Sequence, residues 1–126
     1  MFRTRLATAL AAVLAAFIIV VGLFFILAPA GFAPGFGIPV PQGGTGYFDI
    51  KGVRDITSGL VPLALLLTGH RRALGWALLA TAFTPLGDAV IVLSHHGPVA
   101  TALGVHAATA ALVLATSALL LTEPKP

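Results

Sequence analysis

No cysteine occurs among the 126 residues. That excludes a disulfide framework, a thiolate nucleophile and a zinc–thiolate centre. Charge is nearly as scarce. Charged residues make up 9% of the chain, against about 25% in a soluble domain. A water-soluble surface cannot be built from so few. What fills the chain instead is apolar: 58% of residues are hydrophobic and the mean hydropathy is +1.03. A short chain of this kind covers its surface only when lipid is the solvent, so the bilayer is its first partner. The net charge of +3 rests on 7 Lys and Arg against 4 Asp and Glu. So small an excess does not point to nucleic acid, and no nucleic-acid partner is expected. The length allows a single domain, residues 1–126.

A spanning helix needs about 20 mostly apolar residues. Four segments qualify: Leu6–Ala28, Asp49–Thr68, Ala73–Ser94 and Val99–Thr122. The stretch Pro29–Tyr47 is rich in Gly and Pro and uncharged, and reads as a loop. Gly69-His70-Arg71-Arg72 and His95-His96-Gly97-Pro98 read as tight turns. Arg3, Arg5, Arg71, Arg72 and Lys125 fall on one side of a four-span topology, and the Pro29–Tyr47 loop has no Lys or Arg. The positive-inside rule then puts both termini in the cytoplasm. Span one could instead be a secretory signal cleaved near Ala28-Pro29-Ala30, but its apolar run exceeds the 7–15 residues of such a segment. Ala9, Ala12, Ala15 and Ala16 on span one would allow close helix contact. Trp76 sits where an interfacial anchor belongs.

The scarce ionisable residues are not at random depths. Asp88 lies inside the third apolar run, ~9 Å below its outer edge, and His106 lies ~10 Å below the outer edge of the fourth. In span two the uncharged stretch Ile56–Gly69 covers only ~21 Å as helix. Lys51-Gly52-Val53-Arg54-Asp55 is therefore drawn into the outer leaflet, and Asp55 comes near the same level. Charges in hydrocarbon cost a few kcal/mol each, so they are paired and often functional. Lys51, Arg54, Asp55, Ser58 and Pro62 recur at helical spacing. Lys51 can pair with Asp55 one turn on, which leaves Arg54 for Asp88 across helices. Thr84 and Asp88 share a face of span three, and Pro62 and Pro85 each remove a helix hydrogen bond nearby. Asp49, Asp55 and Asp88 exceed Lys51 and Arg54 by one charge. A protonated His106 or one neutral Asp would balance it, a one-proton site.

Ligand-binding residues are thus expected at Lys51, Arg54, Asp55, Ser58, Thr84, Asp88 and His106, with Asp88, His106 and Asp55 as acid–base candidates. No cofactor and no metal site is expected. His95 and His96 are adjacent and would not face one ligand position. Gly43-Gly44-Thr45-Gly46 lacks the Lys-Ser/Thr of a phosphate loop, and Ser58 has no nucleophile elbow around it.

Gly52-Val53-Arg54-Asp55, Arg71-Arg72-Ala73-Leu74-Gly75-Trp76, Pro85-Leu86-Gly87-Asp88 and His106 resemble, in order, a family of small bacterial and fungal membrane proteins. The family is catalogued as domain of unknown function 4267. The likeness runs from Tyr47 to about Ala111 and takes in the form of span one. It implies four helices and singles out Arg54, Asp55, Asp88 and His106, without implying an activity. A broader likeness to DoxX-type four-helix membrane proteins is architectural. The expectation is an all-α, antiparallel four-helix bundle of the bacterial inner (plasma) membrane, N-in and C-in. Its outer-leaflet pocket would bind a small amphipathic or lipid-like molecule. Two alternatives stand beside it: a membrane isomerase or cyclase using Asp/His chemistry, and an accessory subunit whose polar cluster only locks the helices. Self-association into a homo-oligomer stays open.

Overall fold

The computed structural model describes residues 1–37, 39 and 46–125. Gly43-Gly44-Thr45 and Pro126 lie outside them. The described residues form helices and turns, with no strand among them. The chain runs through α1 (Phe2–Leu27), α2 (Pro29–Phe32), a 3₁₀ turn (Ala33–Phe36), α3 (Gly46–Leu67), α4 (Arg71–Thr81) and α5 (Phe83–Ser94). It ends in α6 (Val99–Thr101), a π-helical segment (Ala102–Ala107) and α7 (Ala108–Leu121). Among the described residues three helices are long and apolar enough to cross a membrane: Phe2–Leu27, Arg71–Ser94 and Val99–Leu121. The second of these is α4 and α5 joined through Ala82, and the third joins α6, the π segment and α7. Helix α3 has 22 residues, ~33 Å, but carries Asp49, Lys51, Arg54 and Asp55 in its first half.

The expected loop after span one is partly helical. Pro29 opens α2 at its first turn, where its missing N–H costs nothing, and Pro34 lies in the first turn of the 3₁₀ segment. Gly37 closes it with φ of 102°, a left-handed cap that glycine adopts without strain. In span three the helix is interrupted at Ala82, where Pro85 has no N–H for the Thr81 carbonyl. Pro62 leaves α3 unbroken.

Helices α1 and α3 pack antiparallel along most of their length. Small residues set the distance. A Cβ on Gly52 would lie 2.6 Å from the Gly22 carbonyl oxygen, and one on Gly59 2.6 Å from that of Ala15. Backbones can meet so closely only where side chains are absent. The buried residues of α1 are Ala7, Ala11, Ala15, Gly22 and Phe25. Of the alanines expected there, only Ala15 is buried, while Ala9 and Ala16 face outward. Helix α4 packs on α7, where the Ser117 hydroxyl donates to the Gly75 carbonyl at 2.8 Å. Ala7, Ala11, Leu74, Leu78, Ala82, Val113 and Leu120 form an apolar core that joins α1, α4 and α7. Large apolar side chains such as Val13, Leu27, Phe83, Val90 and Leu103 stay on the outside, as suits a surface solvated by lipid.

Arg71 ties the terminal end together. Its guanidinium donates to both carboxylate oxygens of Glu123, at 2.8 and 2.6 Å, to the Thr8 hydroxyl at 2.8 Å and to the Thr4 carbonyl at 3.2 Å. One side chain thus joins the starts of α1 and α4 to the end of α7.

Candidate functional site

A cavity of about 530 Å³ opens between α1, the α2–3₁₀ connection, α3, α5 and the π segment. Phe17, Phe24, Phe32 and Phe36 give it aromatic walls. Lys51, Asp55, Asp88 and His106 give it a polar side. Thr84, Pro85 and Thr109 line it and also line a narrower adjoining space of about 90 Å³, which Asp55 borders as well. The polar side is therefore shared by three separate helical elements.

Helix α3 supplies the first pair. Lys51 and Asp55 are one turn apart, and the Lys51 ammonium meets the Asp55 carboxylate at 2.6 Å. The same ammonium lies 4.3 Å from the Phe25 ring centroid and 4.7 Å from that of Phe36. A cation over ring faces gains from their quadrupoles. Lys51 is thus satisfied on three sides. Asp55 is buried at 8% exposure.

The second pair comes from α5 and the π segment. His106 Nδ1 stands 3.9 Å from an Asp88 carboxylate oxygen, beyond hydrogen-bond reach. His106 Nε2 sits 2.8 Å from the Phe36 carbonyl oxygen, and its ring meets the Phe36 ring edge-on at 4.5 Å. A carbonyl only accepts, so Nε2 carries the proton. In neutral imidazole Nδ1 is then an acceptor, and it faces an acceptor carboxylate. Among the described residues Asp88 accepts no hydrogen bond, and its side chain is 26% exposed toward the cavity. The π turn widens the helix by one residue over this stretch, a local feature often found at functional positions.

The residues expected from the sequence part company here. Lys51, Asp55, Thr84, Asp88 and His106 line one cavity. Ser58 borders only the narrower spaces, and its hydroxyl is spent on the Arg54 carbonyl at 2.8 Å. Arg54 is exposed, lines none of these cavities and forms no ion pair with Asp88 among the described residues. The expected Arg54–Asp88 pair is corrected accordingly. Helical rotation explains it: Arg54 lies about 100° around the axis from Asp55, so the turn that aims Asp55 inward aims Arg54 out. Asp49 is exposed too, and the charges facing the cavity are Lys51, Asp55 and Asp88. Sequence reasoning missed the aromatic walls. Phe32 and Phe36 belonged to a segment read as loop, and their Gly/Pro surroundings hid a helical turn. No group of three or more His, Asp or Glu side chains able to hold a metal occurs among the described residues.

No curated protein and no solved structure matches the chain. A family model does, over residues 15–120, described as Domain of unknown function (DUF4267). That range takes in both carboxylates, the lysine, the histidine and the aromatic walls, and the chain belongs to this family.

Proposed function

We propose that this is a four-span protein of the bacterial inner membrane, N-in and C-in, folded as one domain, and that its cavity binds a small amphipathic or lipid-like molecule. The observation that carries the reading is the cavity's mixed lining. Phe17, Phe24, Phe32 and Phe36 share a space of about 530 Å³ with Lys51, Asp55, Asp88 and His106. Pockets for small molecules have this character: mostly apolar walls and a few convergent polar groups. The fourth span would be α3, whose charged first half turns Lys51 and Asp55 inward and whose later half is apolar. The basic residues Arg3, Arg5, Arg71, Arg72 and Lys125 support the orientation.

The test uses a neutral probe, N-phenyl-1-naphthylamine, and native mass spectrometry of the protein released from detergent. Wild type should give a saturable one-to-one adduct. Thr84→Phe, which places a ring in the cavity, should lose it while helix content holds. No saturable adduct on wild type, or an equal adduct on Thr84→Phe, would overturn the reading.

A further inference from the structure

We infer that the ligand of this cavity is a lipophilic organic cation, a single positive charge carried on an apolar body. The inference rests on the cavity being a binding site and names the class of molecule it takes. Charge is the first ground. The groups facing the cavity are Lys51 and Asp55 from α3, Asp88 from α5 and His106 from the π segment. From α1, α2 and the 3₁₀ turn come only apolar side chains and glycines. Lys51 is paired with Asp55. Asp88 remains as one uncompensated negative charge in a half-buried setting, and such a charge demands a partner.

Geometry is the second ground. His106 Nε2 is committed to the Phe36 carbonyl, so Nδ1 presents a lone pair toward Asp88 across 3.9 Å. Two acceptors face each other across that distance, which calls for one donor or one positive charge between them. A bound cation supplies it. Walls are the third ground. Lys51 takes the faces of Phe25 and Phe36, while Phe24 and Phe32, stacked on each other at 5.4 Å, line the cavity together with Phe17. Aromatic rings around a carboxylate suit a weakly hydrated cation. An anionic amphiphile would instead meet Asp88 at close range without a free cation to receive it, since Lys51 is already committed to Asp55.

Tetraphenylphosphonium and tetraphenylborate are nearly equal in shape and opposite in charge, which makes them the probes of choice. Isothermal titration of the detergent-solubilised protein should show tetraphenylphosphonium binding at least about tenfold tighter than tetraphenylborate. Asp88→Asn should remove that preference, Asp88→Glu should keep it, and Arg5→Gln, far from the cavity, should leave it unchanged. Equal binding of the two probes by wild type would overturn the inference, and that readout needs no variant to fold. A site that still takes the neutral naphthylamine would then stand as a pocket for uncharged amphiphiles. A site that takes none of the three probes would fail as a pocket altogether.

Discussion

Lys51 and Arg54 are three residues apart on one helix, yet they answer to different surroundings. Lys51 reaches Asp55 and two aromatic rings, whereas Arg54 points outward. Double-mutant cycles separate them. Lys51→Met with Asp55→Leu should show coupling of about 0.5 kcal/mol or more, while Arg54→Met with Asp88→Leu should be additive within about 0.5 kcal/mol. Additivity in the first cycle and coupling in the second would reverse the assignment. The i, i+4 contact was legible in the sequence because helical spacing alone fixes it. The cross-helix partner of Asp88 was not, because rotation of α3 about its axis depends on Gly22, Gly52 and Gly59 meeting their neighbours. At the terminal end, hydrogen bonds and the charge of Arg71 hold the Glu123 carboxyl below the usual range. A lowered folded value means stability that is present above the unfolded value and lost as pH falls through the folded one. Thermal midpoints of wild type should therefore decline on acidification below about pH 4.5. Glu123→Gln should start lower and lose the part of that slope due to this pair. An unchanged slope would detach Glu123 from the stability of this end.

Among the helices, the α1–α3 contact is the most demanding. Gly59→Ala sets a methyl against the Ala15 carbonyl, and overpacking of this kind costs about 1–3 kcal/mol. Gly87→Ala meets no atom within 4 Å and should be neutral or stabilising by about 0.5–1 kcal/mol, since alanine narrows the unfolded chain. Thermal unfolding in one detergent ranks the pair, and a tolerated Gly59→Ala would mean the helices are not in this contact. The long apolar runs and the turns at Gly69 and Gly97 were readable, because length and composition dictate them. Two elements were not. The α2–3₁₀ connection hides among Gly and Pro residues that usually end helices. The π segment Ala102–Ala107 has no compositional mark, since its extra residue is set by how His106 meets Phe36 and the neighbouring helix.

On the scale of the whole molecule, the apolar core and the aromatic-lined cavity lie toward opposite ends. The terminal end holds Ala7, Leu74, Leu78 and Leu120 in contact and is clamped by Arg71. The other end gathers Lys51, Asp55, Asp88 and His106, which the sequence placed at one depth. That division was legible in outline, because the ionisable residues within the apolar runs gather toward one end of three of them. The volume between those runs was not, because it depends on how α1 and the 3₁₀ turn close over them. The proposed orientation predicts that a reporter active only in the periplasm, fused after Pro126, stays silent, and activity from it would reverse the topology. The central claim is that the polar side of the cavity serves a ligand and is not a lock between helices. Its most direct test is the thermal midpoint of ligand-free Asp88→Leu beside wild type in the same detergent at pH 7. Asp88 accepts no hydrogen bond among the described residues and borders open space, so a site kept for a ligand should hold its midpoint or gain on losing the charge. A midpoint lowered by about 4 °C or more, with wild-type helix content retained, would contradict the account and make Asp88 a strut of the fold.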